Sequence, residues 1–339
     1  MGNVPIWALA DMGIAGEWDQ AMSAAGAGEA GASEAGAKRG TRRFGGRSAR
    51  RDPFQFTDGP LPDLPAAASP GSGRAGKFRA ISRLAVFLLL LILMVPVQLL
   101  ALLLDRRLSV GIPFFFHKLL CRVLGIRLVI HGRRQTRGSV LYIGNHSSWL
   151  DIPVLSAAIP ASFVAKSEIE GWPIFGFLSK LQRTVFVQRE KRSRTAESRD
   201  VLVERLRAGD NLILFPEGTS SDGNRVLPFK SALFGAAEIE VARRDGTMGP
   251  VVVQPVTVTY TRLQGMPMGR DYRPFFTWFG DMELAPHLFK ALTLGPITAE
   301  VEFHAPLTVN EAGSRKALAR HCETVIRAGH ARQIQGQFD

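Results

Sequence analysis

The sequence predicts an α/β fold: a mixed, largely parallel central sheet flanked by helices, preceded by an N-terminal membrane-anchoring helix or helical hairpin. Three observations carry that expectation. From about residue 127 onward, short runs rich in β-branched and aromatic residues alternate with helical periodicity, as they do where strands and helices take turns around one sheet. Residues 84–104 form a Leu-rich run without a formal charge, and as a helix such a run reaches roughly 30 Å, about the thickness of a bilayer's hydrocarbon core. The two loops that carry unusual chemistry each follow an apolar strand run, where ligands gather in sheets of this kind.

In chain order, residues 1–80 are mostly Gly, Ala, Ser, Pro, Arg and Asp, with too little apolar surface to offset backbone ordering, and are expected to be disordered. Their basic cluster, Lys38, Arg39, Arg42, Arg43, Arg47, Arg50 and Arg51, reads as a solvated tail. Residues 81–125 are the expected membrane anchor; the run 84–104 starts too late and is too long for a secretory signal. Arg74, Lys77, Arg79 and Arg83 precede it and Arg106 and Arg107 follow, so both flanks look cytoplasmic by the positive-inside rule. Pro96 can break the helix, and a second apolar stretch, 108–124, carries Phe114, Phe115 and Phe116 beside Lys118 and Arg122. One span, a hairpin and a half-buried monotopic anchor all stay open. Residues 126–330 make the α/β domain, with strand candidates at 127–131, 139–143, 162–165, 184–187, 211–215, 251–260 and 299–304. Helix candidates are 148–158, 194–208, 230–243 and 310–327, and 331–339 is a tail.

The formal net charge of +12 suits anionic partners, and basic residues beside an apolar helix suit anionic lipid headgroups. Specific nucleic-acid binding is not expected, because no zinc-finger, recognition-helix or stacking-aromatic signature accompanies the charge. Cys121 and Cys322 stand far apart without His at ligand spacing, which implies neither a metal site nor a disulfide scaffold. Gly26, Gly28 and Gly31 satisfy G-x-G-x-x-G, yet no strand precedes them and no amphipathic helix follows, so no dinucleotide site is expected.

The first chemical loop reads Gly144-Asn145-His146-Ser147-Ser148-Trp149-Leu150-Asp151. Residues five apart on a straight helix point about 140° away from each other, so His146 and Asp151 meet only if His146 precedes the helix. Ser148 as N-cap with Asp151 three residues on would turn the carboxylate back toward the loop. Asp151 would then orient an imidazole that takes the proton from an acceptor hydroxyl as it attacks a thioester. The bland alternative is a capping Asp and an ordinary loop His. The second loop, Phe215-Pro216-Glu217-Gly218-Thr219-Ser220-Ser221, combines a Gly that frees the backbone with N–H groups able to cradle an anion. Glu217 can bind acceptor hydroxyls or position a basic neighbour, and Thr219 can donate to phosphate.

Together the loops resemble the glycerolipid acyltransferase family, whose hallmarks are Asn-His-x4-Asp and Phe-Pro-Glu-Gly-Thr. Val185-Phe186-Val187-Gln188-Arg189 is similar to the family's block with a phosphate-binding Arg, and Val253-Gln254-Pro255-Val256 to its Val-x-Pro-Val strand. The resemblance spans roughly residues 80 to 310. It implies direct acyl transfer by a His146–Asp151 pair, with no covalent acyl-enzyme and no cofactor, acyl carrier protein or acyl-CoA being the co-substrate. By the same resemblance Arg189, Glu217, Gly218 and Thr219 hold the acceptor headgroup, and Lys166 lines the pocket. The partners are then membrane lipids and the acyl thioester. The expected place is the bacterial cytoplasmic membrane, with the domain facing the cytoplasm, where acyl thioesters are made.

The acceptor expected first is 1-acyl-sn-glycerol-3-phosphate, giving phosphatidic acid. Family members of that specificity usually carry Arg after Phe-Pro-Glu-Gly-Thr and Gly ahead of the phosphate-binding block, where this chain has Ser220 and Arg183. Arg183 or Arg225 would have to replace the missing cation. A lyso-ornithine lipid, which offers a carboxylate and an amine in place of phosphate, is the alternative acceptor. A hydrolase using Ser147 or Ser148 is disfavoured, since there is no G-x-S-x-G elbow. Intact His146, Asp151 and Glu217 argue against a non-catalytic lipid-binding protein. Phe275, Phe276, Trp278 and Phe279 read as packing aromatics in a strand.

Overall fold

The computed structural model describes residues 73–188, 195–242 and 247–337. Residues 1–72, including the basic cluster, lie outside the described residues, as does Arg189. Residues 74–80, assigned above to the disordered region, already belong to helix α1 (Arg74–Leu104), which runs through Pro96 without ending there. The break comes at Asp105, whose carboxylate accepts the N–H groups of Arg107 (2.6 Å) and Leu108 (2.9 Å) and so caps α2 (Arg106–Leu124). The two helices pack against each other as a pair. α1 is long and apolar enough to cross a bilayer and leaves most of its Leu, Ile and Val side chains unburied. Two of the basic residues that precede the apolar run also bind the rest of the domain. Arg79 donates to the Thr293 carbonyl (3.3 Å), and Arg83 to those of Leu292 (2.9 Å) and Leu294 (3.0 Å), tying α1 to the far end of the chain.

The described strands are β1 (Ile126–Gly132), β2 (Val140–Gly144), β3 (Ser162–Lys166), β4 (Val185–Val187), β5 (Leu212–Leu214), β6 (Glu240–Ala242), β7 (Met248–Pro250), β8 (Val252–Leu263), β9 (Met266–Pro267) and β10 (Ile297–Phe303). The main sheet has the order β1-β10-β8-β2-β5-β3-β4, with β9 paired to β8 and β6–β7 forming a separate hairpin. From β8 to β4 every pairing is parallel, while β10 runs antiparallel to β8 and β1 parallel to β10. The mixed, largely parallel sheet is as expected. Period-two alternation divides its side chains: Val140, Tyr142, Ile213, Val256, Val258 and Tyr260 join one buried cluster, and Leu141, Ile143, Leu212, Leu214, Val251 and Val253 the other.

The remaining helices are α3 (Asp151–Ala158), α4 (Phe175–Leu181), α5 (Thr195–Arg207), α6 (Leu284–Thr293), α7 (Val309–Ala312) and α8 (Arg315–Ile334). The expected helix at 230–243 is instead a 3-10 turn, Ser231–Ala237, followed by β6. Leu233, Phe234, Ala236 and Ala237 imitate an amphipathic helix, but Val241 is drawn into register with Gly249 of β7. The expected helix at 310–327 is two: Gly313, at φ +83°, ends α7, and Ser314 caps α8. The aromatic run is no strand, since Arg273–Phe275 is a 3-10 turn that buries Phe275 and Phe276 in the first cluster.

Candidate active site

All the site's loops leave the same edge of the sheet, the carboxyl ends of the parallel strands. β2 stops at Gly144, where a Cβ would lie 3.2 Å from the Phe215 ring. Asn145, buried, then locks the chain to β8 with two 2.8 Å bonds, its amide donating to the Val258 carbonyl and its oxygen accepting the Val258 N–H. His146 follows, and the second loop holds its backbone at both ends. Its N–H donates to Glu217 Oε1 (2.7 Å) and its carbonyl accepts the Ser221 N–H (2.9 Å).

The His146 ring lies parallel to Phe215, centroids 4.3 Å apart, with Nδ1 2.8 Å from Asp151 Oδ2. The Asp151 side chain is 0% exposed and that of His146 21%. Asp151 is fully engaged: Oδ2 also accepts the N–H groups of Ser147 (2.7 Å) and Ser148 (2.9 Å), and Oδ1 the hydroxyl of Tyr260 (2.7 Å). Ser148 is not the N-cap, since α3 opens at Asp151 with Leu150 before it, but the Asp151 carboxylate does turn back to the loop N–H groups. Ser148 Oγ does not bond the Asp151 N–H; it accepts from Leu150 N–H (3.2 Å) and donates to the Phe276 carbonyl (2.6 Å). An ionised carboxylate only accepts, so the Nδ1 hydrogen points at Asp151 and the Nε2 lone pair is left free for a proton. Burial, reinforced by the Asp151 charge, pushes the Tyr260 phenol well above its usual value and keeps it a neutral donor.

Glu217 is buried, its second oxygen accepting the Leu227 N–H at 2.8 Å. Burial pushes its carboxyl up to about 8; the two N–H bonds pull the other way, and the Asp151 charge adds to the rise. Gly218 takes φ +76°, and a Cβ there would stand 2.6 Å from the Lys230 ammonium, so a glycine lets this exposed cation close over the turn. Thr219 is exposed beside it, whereas the Ser220 hydroxyl is spent on the Trp278 carbonyl. Trp278 in turn donates its N–H to the Ser147 carbonyl (2.9 Å), so the 276–278 segment clasps both loops.

A family model described as Acyltransferase matches residues 127–259. A lyso-ornithine lipid O-acyltransferase of Brucella abortus is 46% identical over 253 residues, covering 75% of this chain and 94% of that protein. The chain belongs to the acyltransferase family. A lyso-ornithine lipid O-acyltransferase of Rhizobium meliloti is 40% identical over 246 residues (73% of this chain, 84% of the relative). A 1-acyl-sn-glycerol-3-phosphate acyltransferase of Neisseria gonorrhoeae is 34% identical over 189 residues (56% and 68%). The crystal structure of a 1-acyl-sn-glycerophosphate acyltransferase from Thermotoga maritima aligns with a TM-score of 0.52 at 18% identity, covering 76% of this chain and 96% of that one, a likeness of fold alone.

In this acyltransferase the structure joins His146, Asp151, Glu217, Gly218 and Thr219 in one site. Glu217 accepts one backbone N–H on each oxygen, that of His146 and that of Leu227, so it positions the first loop. Lys166 ends β3 at the same sheet edge and is exposed. Arg183 is no substitute for the missing cation. It sits before β4, at the opposite edge, 3.3 Å from Asp210. Arg225 stands 3.8 Å from Asp222. Sequence reasoning missed Tyr260, Lys230 and Trp278. For Tyr260 a signal existed, since it continues the inward alternation of Val256 and Val258; Lys230 and Trp278 are brought in by the tertiary fold alone.

Proposed function

We propose that this acyltransferase moves a fatty acyl group from a thioester, acyl carrier protein or acyl-CoA, to the free hydroxyl of a lyso-ornithine lipid. The observation that carries the reaction is the His146–Asp151 pair, with Nδ1 engaged and Nε2 available. Nε2 takes the hydroxyl proton as the oxygen attacks the thioester carbonyl carbon. The C–S bond then breaks, and the thiolate leaves with the proton returned by the imidazolium. Asp151 stabilises that imidazolium between the two steps. No residue is acylated on this route, and neither a metal nor a resident cofactor enters a step.

For the acceptor, the charge at the turn favours a carboxylate over phosphate. Ser220 stands where a second cation would serve a phosphate monoester, and its hydroxyl is committed to Trp278. Lys230 and Thr219 suit one carboxylate. Relatives named for lyso-ornithine lipid also share more identity with this chain, 46% and 40%, than the gonococcal relative named for 1-acyl-sn-glycerol-3-phosphate, 34%. The order of the two acceptors expected from the motifs is therefore reversed. We place the enzyme in the cytoplasmic membrane with its domain on the cytoplasmic side, which protease digestion of sealed vesicles reads directly. Labelled acyl thioester given to membranes with lyso-ornithine lipid, lysophosphatidate or monoacylglycerol tests the acceptor. Ornithine lipid should form fastest; phosphatidate as the dominant product would refute the assignment.

A further inference from the structure

The segment between β3 and α4 holds a backbone outlier. Ile174 has φ +62° and ψ −57°, and the Phe175 N–H donates across it to the Pro173 carbonyl (2.6 Å), a γ-turn of the rare, strained hand. A β-branched residue at positive φ is a genuine outlier, where glycine would serve the backbone better. The turn is locked from behind: the Gly176 N–H donates to the Trp172 carbonyl (2.9 Å), and a Cβ on Gly176 would lie 2.2 Å from the Glu170 carbonyl oxygen. Yet the side chain held out by this strained turn is apolar and 60% exposed, and Phe175 beside it is exposed too. In water that arrangement gains nothing.

Its position gives it a use. Trp172, two residues back, meets Trp278 edge to face at 6.0 Å, and Trp278 clasps both loops of the active site. At its other end α4 leans on the apolar helix α1, where Gln98 donates to the Leu181 carbonyl (2.7 Å). The short helix thus links α1 at its far end to the clasp of the two loops at its exposed tip. We infer that Ile174 and Phe175 dip into the bilayer just below the headgroups, holding the site mouth at the depth from which a lyso-lipid enters. This rests on the acceptor being membrane-borne, but one of its two tests reads no activity.

Cys121 and Cys322 are buried, so Ile174→Cys in the full chain can be labelled selectively with an environment-sensitive dye and reconstituted into phosphatidylcholine–phosphatidylglycerol vesicles. Lipid brominated high on the acyl chain should quench that label at least about threefold more than one at Met248→Cys, which lies in the hairpin ahead of β8 at the opposite sheet edge. Equal quenching at the two positions, or shielding of the Ile174→Cys label only when acyl carrier protein is added, overturns the inference. In parallel, Ile174→Gly keeps and relaxes the turn while removing the side chain. It should lose about tenfold or more in kcat/KM on vesicle-borne lyso-lipid, with less than about twofold change on a short-chain acceptor dispersed as monomers. Equal loss on both acceptors, or no loss on vesicles, also overturns it.

Discussion

Around a single side chain, the proposed chemistry depends on a carboxylate held from four sides. Asp151 takes four hydrogen bonds while fully buried, so it fixes the ring of His146 and the start of α3 at once. Burial raises the Glu217 carboxyl from the ordinary 4.5 to about 8. A raised acid binds its proton more tightly in the folded chain. Its stabilising contribution is therefore complete below about pH 4.5 and is lost as pH climbs through about 8. Chemical denaturation between those limits should show stability falling by on the order of 1 kcal/mol per pH unit from this group. Glu217→Gln should flatten that slope while lowering the acid plateau, since an amide nitrogen cannot accept the Leu227 N–H. An unchanged slope in the variant would place the titration elsewhere. His146 and Asp151 were legible as a pair because a five-residue spacing can close only across a loop-to-helix junction. Alternation along β8 turns Tyr260 inward but does not say that it meets Asp151, 109 positions away, and nothing local brings Lys230 to the turn at Gly218.

Among the elements, the site is a seam between two loops stitched by backbone bonds. Asn145 pins the first loop to β8, and removing its side chain strands the buried N–H and carbonyl of Val258. Asn145→Ala should cost about 2 kcal/mol or more in denaturant unfolding, and activity should fall with it because His146 loses its anchor. Activity retained at full stability would mean the loop is held by the Glu217 side alone. At this scale the sequence was readable where alternation is strong and both faces are buried, as in β2, β5 and β8. It misled where spacing imitated a helix, as at 230–243, and was silent on α4 and α6, which are short and owe their place to α1.

As a whole, the described chain couples an apolar helix to a sheet whose carboxyl edge carries the chemistry. Arg79 and Arg83 fasten α1 to the C-terminal end of α6, so the apolar helix packs onto the sheet domain. The place of those arginines beside the apolar run is legible in the sequence, but their partners are not, because the carbonyls they cap come from more than 200 residues later in the chain. The most direct test is single-turnover transfer of a labelled acyl group to lyso-ornithine lipid by the reconstituted full chain and by His146→Ala, each checked for cooperative unfolding. The expected result is a folded variant slower by about a hundredfold or more. A folded variant that transfers the acyl group at the parent rate would contradict the role of His146.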